Sequence, residues 1–586
     1  MIVPMAKVFL VARRDDRHRL LDALSDLGVV HPAPVDPAKA VLDEKTVTGL
    51  REVERAIQVL ASLSPEGSTP EMSPADAVHE VLDIQRRTAE RQARLAALDR
   101  LLECVALWGD IRVEQFEELR QAGIDVRFFM VPRDLVDEVR AECVQVLGTR
   151  LGHKVLVAAI DRRREVLVPK KAEPIPLPVR DAPSVRAEAG QVAEAMKQDA
   201  QRLREMVGLL PAIEKHLVDL RQQAEFLRTR RGGLSDEHLF AMQGWMPADA
   251  APSLEADLAR AGMAVAVKSI PPDAGEQPPT LIRYPSWARP IEGLFNVLGT
   301  VAGYREFDVS VPFMIALPIF AAILIGDGGY GLVLLLALTI FHRRACRGLG
   351  PQFTHLLMVV GATALAWGFL CATFFGVRLY PPPIPVDVSD YSRMLMMKIS
   401  FVMGAIHLTI AQLWQAVKLY PDTRFLSKVG WATFIWGVFG VVGYFVLNSA
   451  VGWGSYGLLI AGVVLILLFT EPVPNPFKRI LWGVAGFPLA ALSAFSDVIS
   501  YVRLMAVGLA SGVLASSFNN LALDAGWLPL VIAVLLFGHG LNLGLAMIAL
   551  FAHGVRLNML EFSNNLGMQW TGYPYSPFIK QAIQEN

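Results

Sequence analysis

An α-helical membrane protein bearing a cytoplasmic α+β and coiled-coil domain is the fold this sequence predicts, with about eight transmembrane helices, the last two long and tilted. Charge is partitioned: of 55 Lys/Arg and 56 Asp/Glu in 586 residues, only 14 and 9 lie between Val311 and Asn586. Halves this different need different solvents. The poor half carries apolar stretches of span length, while the rich half carries long runs of apolar residues spaced by threes and fours. The domains expected are 1–310, a cytoplasmic part of two α/β lobes joined by a long-helix pair, and 311–586, a membrane part.

The net charge of -1 gives no global bias toward nucleic acid. Cys104, Cys143, Cys346 and Cys371 are scattered without metal-ligand spacing, which fits reduced thiols. Met1 to Lys7 lacks the apolar core of a secretory signal, so the first half is expected in the cytoplasm.

Taken in order, residues 5–12 read as a strand, Asp15–Leu27 as a helix with Leu20, Leu21, Leu24 and Leu27 on one face, and Val29–Pro32 as a second strand. A long helix opens at Ser73 as N-cap with Pro74 in its first turn and Asp76 near its positive end, and runs to about Trp108. Residues 128–132 and 154–160 are strand-like, with a helix expected near Leu135–Leu147. A second long helix, about Pro183–Arg230, carries a seam from Val192 through Met206, Ile213 and Leu217 to Leu227, and Pro211 predicts a kink in it. The natural arrangement is an antiparallel pair with a lobe at each end: one from residues 109–170, the other from the N-terminus plus 235–270. That is a strut.

Eight spans follow, at about 311–326, 328–343, 353–376, 395–416, 429–448, 455–470, 482–518 and 526–562. With a break at Asp327, one set of loops holds Arg343, Arg344 and Arg347, then Lys418, Arg424 and Lys428, then Lys478 and Arg479. The opposite loops, such as Ser449–Gly454 and Asn519–Trp527, are nearly uncharged or balanced. The positive-inside rule then puts both termini in the cytoplasm of a multi-pass protein of the cell (plasma or inner) membrane. The last two spans exceed the ~20 residues a perpendicular crossing needs, and excess length means tilt.

Three constellations carry chemistry. Arg503 interrupts the run Val498-Ile-Ser-Tyr-Val-Arg503-Leu-Met-Ala-Val-Gly-Leu-Ala510. Arginine keeps its proton, and at mid-bilayer it costs about 2.5–3.5 kcal/mol on insertion scales, so a chain that keeps it there uses it. Ser493, Ser496, Asp497 and Ser500 extend a polar row toward it at helical spacing; the alternative is that Asp497 and Arg503 serve only structural pairing. The second constellation is His539, Asn542, His553, Arg556 and Glu561, either contacts along a proton path or interhelical hydrogen bonds. The third is Gly326-Asp-Gly-Gly-Tyr-Gly331, where Gly326, Asp327, Gly329 and Gly331 suit a tight turn between spans and Asp327 suits a cap more than an ion contact. No Gly-x4-Gly-Lys-Ser/Thr occurs, nor any Ser/His/Asp or zinc arrangement, so no catalytic site, cofactor or metal is expected. His407 is a lone intramembrane histidine with a structural role.

The segments Tyr304-Arg-Glu-Phe-Asp308, Gly326–Gly331, Gly404-Ala-Ile-His407, Ser496–Ala510, Gly538-His-Gly-Leu-Asn542 and His553-Gly-Val-Arg556-Leu-Asn-Met-Leu-Glu561-Phe resemble subunit I (subunit a) of the V/A-type rotary ATPases. The resemblance covers nearly the whole chain. It implies a stator and ion-channel subunit that provides ion half-channels beside a rotating proteolipid c-ring, with Arg503 meeting the ring carboxylate and Arg556 supporting it. It implies peripheral stalk partners of the E/G type, and central-stalk and ATP-hydrolysing subunits elsewhere in the complex, coupling proton or sodium movement to ATP hydrolysis or synthesis. This chain itself would hold no ATP-hydrolysing site. Two departures stand out. Ala546 occupies a position that is acidic in eukaryotic relatives, which shifts the nearby path toward Asn542, and Asp308-Val-Ser-Val-Pro312 replaces the usual Asp-Pro-Thr. Alternatives are a secondary transporter with a cytoplasmic regulatory domain, which predicts internal repeats, and a membrane-anchored scaffold, which leaves Arg503 idle.

Overall fold

The computed structural model describes residues 1–105, 108, 112–151, 153–160, 166–386, 389–447, 452–471 and 476–579. Half of the loop expected at Ser449–Gly454 lies outside the described residues, as does the side chain of Arg479. The chain divides into two compact units. One comprises Met1–Ala12, Val29–Pro32 and Gln243–Phe578; the other comprises Arg13–Gly28, Ala33–Met242 and the last residues from Ile579.

The second unit is built on long helices. Pro74–Val105 runs antiparallel to Ala182–Met206, which the ion pairs fix: Arg202 to Glu80 at 2.7 Å, Arg91 to Asp199, and Arg94 to Glu188 at 2.7 Å. The start of the first helix is capped as its residues dictate, since Ser73 Oγ accepts the Asp76 N–H at 3.2 Å and donates to the Asp76 carboxylate at 2.6 Å. The interruption at Pro211 takes a definite form. The helix ends at Met206, Val207–Leu209 tighten into a 3₁₀ turn, and a new helix, Leu210–Gly232, starts with the proline in its first turn. There its missing N–H is harmless.

A further helix, Glu44–Ala61, was not anticipated, although Val53, Ile57 and Leu60 have helical spacing. It closes the core, in which Val53, Ala56, Leu60, Val81, Ile84, Met206, Ile213 and Leu217 pack together. Away from that end the seam thins: Val192 and Met196 are only half-buried and Ala200 is exposed, and the Arg91–Asp199 pair lies at the same level.

A four-stranded antiparallel sheet in the same unit has the order Cys143–Leu151, Lys154–Ile160, Val126–Pro132, Glu173–Ile175. It corrects the helix expected near Leu135–Leu147. Only Arg133–Glu138 is helical, as a 3₁₀ segment, and Cys143–Leu151 is a strand whose antiparallel ladder to 154–160 outweighs helix propensity.

In the first unit, Met5–Arg13 pairs antiparallel with Ala266–Ile270, Lys7 opposite Ile270, in a sheet that also takes His31–Ala33 and Leu239–Pro247. The segment Tyr304–Asp308 ties this strand layer to the helices that follow. Tyr304 Oη accepts the Met5 N–H at 2.9 Å. Glu306 accepts N–H bonds from Gly303, Gln569 and Trp570 at 2.7, 2.7 and 3.2 Å. The end of the chain returns here: Phe578 N–H donates to Val30 O at 2.8 Å, and Tyr575 Oη to Val29 O at 2.5 Å.

All eight apolar stretches are helical. Among the described residues, five helices are long and apolar enough to cross a membrane: Pro351–Cys371, Asp390–Leu419, Phe425–Phe445, Ile480–Asp524 and Leu528–Leu566. A sixth arises if Ser310–Ile325 and Gly328–Ile340 count as one, but their axes turn through 120° at the break. At about 1.5 Å per residue these two reach roughly 24 and 20 Å, short of the ~30 Å hydrocarbon core. Trp453–Phe469 has 17 residues. The expectation of eight therefore resolves into five helices of span length, one bent pair and one shorter helix. The two final helices are 45 and 39 residues long.

Ile213 is fully buried at the junction of three helices, so Ile213→Ala is expected to lower stability by about 2–5 kcal/mol. Val179→Ala, at an exposed position, should stay within about 0.5 kcal/mol of wild type, both read by urea unfolding of the full chain.

Candidate functional site

Arg503 stands in the first turn of Val502–Asp524, just after the helical segment Pro476–Ser500 gives way at Tyr501. The break reshapes the expected polar row. Ser500 Oγ donates to the carbonyl of Asp497 at 2.8 Å, Ser493 and Ser496 are exposed, and Asp497 accepts from Asn565 Nδ2 at 2.8 Å rather than meeting Arg503. Asn565 in turn accepts from Gln412 Nε2 at 2.8 Å, which joins three helical segments.

The partner of Arg503 is Glu561. Arg503 Nη2 lies 3.4 Å from Glu561 Oε1, and Arg556 Nε lies 3.7 Å from the same oxygen. The glutamate side chain is 6% exposed, the two arginines 26% and 53%. Five residues separate Arg556 from Glu561, which on an α-helix places them about 140° apart. Here the chain is wound as π-helix over Leu550–Val555 and again over Leu557–Phe562. That winding brings residues i and i+5 to one face, so both side chains reach the same point. His553 is half-buried in the first π segment. Behind the pair, Tyr501 Oη and His407 Nδ1 are 2.8 Å apart and the imidazole stacks on Phe562 at 4.4 Å, the structural role expected for His407.

His539 and Asn542 belong to a different cluster. His539 Nδ1 lies 2.8 Å from Tyr330 Oη and its Nε2 lies 3.1 Å from Asn519 Oδ1. Asn542 donates to Tyr330 Oη and to the Ser511 carbonyl, each at 2.9 Å, and Ser511 Oγ donates to Ile325 O at 3.0 Å. Fourteen residues, about 21 Å of helix, separate Asn542 from Arg556, so the constellation on the last helix is two sites and not one line. Ala546, buried between them, brings no charge.

The turn at 326–331 anchors this second cluster. Asp327, 1% exposed, accepts the N–H groups of Gly329 and Tyr330 at 2.7 and 3.4 Å, capping Gly328–Ile340, and those of Phe375 and Gly376 at 2.8 Å each. Its carboxylate is thus a backbone cap and tie. Gly326 has φ +70°, the left-handed region, and its pro-Cβ position is 3.0 Å from Gly508 O. Gly508 is tighter still: a Cβ there would stand 2.4 Å from Ile323 O, so the helix bearing Arg503 crosses Ser310–Ile325 at backbone contact. Gly329 and Gly331 pack against Phe375 and Leu365.

Sequence reasoning singled out neither Tyr330, Tyr501, Asn565 nor Gln412. Gln412 and Asn565 are polar interruptions in apolar helices, a signal of the same kind as Arg503.

No family model matches this chain. Curated relatives do, among them the following three. V-type ATP synthase subunit I of Borreliella burgdorferi is 27% identical over 99% of this chain and 100% of its own length. V-type ATP synthase subunit I 1 of Treponema pallidum is 29% identical over 99% and 100%. A-type ATP synthase subunit I of Archaeoglobus fulgidus is 26% identical over 64% of each chain. A crystal structure of the cytoplasmic N-terminal domain of subunit I, homolog of subunit a, of V-ATPase matches 45% of this chain and 100% of that one at 16% identity, with a TM-score of 0.19, too low for a comparison of folds. The chain is thus similar along 99% of its length to V-type ATP synthase subunit I proteins, and along about two thirds of it to an A-type subunit I.

Replacing Asp327 by alanine strands several buried N–H donors at once. Asp327→Ala is expected to lower stability by about 2–4 kcal/mol in thermal unfolding of the detergent-solubilised chain. Asp327→Asn, which keeps one acceptor oxygen, should lose roughly half as much.

Proposed function

We propose that this chain is the stator and ion-channel subunit of a V/A-type rotary ATPase, non-catalytic itself, and that it moves protons or sodium ions past Arg503. The observation that carries the reading is the position of Arg503: a permanent charge on an apolar helix, partly exposed, at the point where the two longest membrane helices meet. Full-length homology to ATP synthase subunit I supplies the context.

The apolar faces beside it are open. Leu521, Leu536, Leu541, Leu545 and Ile548 of the last two helices are exposed, a surface suited to lipid or to a rotating ring of small apolar subunits. A ring carboxylate that passes along this surface meets the guanidinium, and an opposite charge nearby favours its ionised form, so it releases its ion there. Asp497, Ser500, Glu561 and His553 would serve the path on the Arg556 side. His539 and Asn542, with Tyr330, would serve the path on the other. Two polar sites about 21 Å apart along the helix, with the fixed charge at one of them, suit offset half-channels. Ion flow then needs rotation, because Arg503 bars direct passage. Helices of 45 and 39 residues must tilt to stay within the bilayer, which widens the face offered to a ring. The long-helix unit would bind peripheral stalk subunits of the E/G type and resist torque from the central stalk and the ATP-hydrolysing subunits. Both termini would lie in the cytoplasm, at the cell membrane.

The test is ATP-driven ion pumping by the assembled complex in membrane vesicles. Arg503→Ala is expected to abolish pumping with assembly intact. Undiminished pumping would leave the chain a scaffold.

A further inference from the structure

The carboxylate beside Arg503 is unusually arranged for a structural ion pair. A charge-assisted N–H···O bond settles near 2.7–2.9 Å, and an Arg–carboxylate pair prefers the two-pronged form. Here a single oxygen, Glu561 Oε1, faces two guanidinia at 3.4 and 3.7 Å. Glu561 Oε2 is buried without a hydrogen-bond partner among the described residues, and so is Arg503 Nη1. The nearby carboxylate of Asp497 is engaged by Asn565 and contributes no bond to either arginine. Each member of the pair therefore keeps a free edge, and the contact is loose enough to be exchanged. The π winding that presents Glu561 on the face of Arg556 is a deviation with no other visible use.

We propose that Glu561 is a resident counter-ion that holds Arg503 between encounters with a ring carboxylate and takes it back afterwards; this rests on the rotary reading above. A guanidinium and a ring carboxylate in a low-dielectric interface attract strongly, and parting them without a substitute leaves an uncompensated charge. Glu561 supplies the substitute. Arg503 exchanges one carboxylate for the other through its open Nη1 edge, and Arg556 keeps Glu561 ionised while Arg503 is away. In this exchange Glu561 is a positioning residue that acts through Arg503.

The experiment compares Glu561→Gln, Glu561→Asp and Arg503→Ala in the assembled complex in sealed vesicles, reading ATP hydrolysis, ATP-driven pumping and passive leak. For Glu561→Gln, hydrolysis and pumping should fall together by about tenfold. Leak should stay at the wild-type level, because the blocking charge remains, and Glu561→Asp should recover part of the rate. A merely structural glutamate would not slow both activities in parallel while sparing the seal. Wild-type turnover in Glu561→Gln overturns the proposal. If Glu561→Gln fails to assemble, the double variant Arg503→Met with Glu561→Gln is read for assembly alone: recovery supports the pair, and continued failure overturns it. Retained pumping in Arg503→Ala defeats the rotary reading itself. Pumping lost in Arg503→Ala but unaffected in Glu561→Gln defeats only the counter-ion.

Discussion

The membrane helices are organised around one electrostatic requirement: a guanidinium that keeps its proton must find an anion where water is scarce. Arg503 finds it in Glu561, on the next helix and 3.4 Å away in space. Meeting that requirement fixes much else. The last helix abandons α winding twice to turn Glu561 inward. The preceding helix breaks at Tyr501, whose hydroxyl reaches His407. Gly508 allows the helix carrying Arg503 to approach Ser310–Ile325 at backbone contact. Charge, winding and close crossing are one arrangement.

The polar groups elsewhere in this layer are of another kind. Around Asp327 and Tyr330 most side-chain donors and acceptors are paired, which makes a rigid knot at the bend between the first two membrane helices. Around Arg503, by contrast, atoms of Arg503, Glu561, His407 and Gln412 are buried without a partner. A satisfied network holds shape. An unsatisfied one is open to water or a further partner, and the two lie at different levels of the same helix pair.

What the sequence revealed follows from periodicity and solvent. Eight apolar stretches, the capped start at Ser73 and the break before Pro211 were legible because each is a local property of the chain. Arg503 was legible because charge in an apolar run is costly. The convergence of Arg556 and Glu561 was not, since α-helical spacing separates them and π winding is set by tertiary contacts. The Asp497–Asn565 tie was hidden for a similar reason: the i+3 row that ran from Asp497 to Arg503 assumed an unbroken helix. The strand Cys143–Leu151 was misread because a short run of mixed residues satisfies either period until its ladder partner is known.

One tie has a consequence for how the molecule is made. Strand Met5–Arg13 is synthesised more than 560 residues ahead of Tyr575 and Phe578, yet the layer it joins is closed by Tyr304 and then by those two residues. At roughly 5–20 residues per second the ribosome needs about half a minute or more to deliver those last contacts. All the apolar helices must be threaded into the bilayer in the meantime. The layer around Met5–Arg13 therefore waits, incomplete, until the segment after the long helix Leu528–Leu566 is delivered, so a ribosome that stops before Tyr575 leaves a chain that is inserted but unsealed.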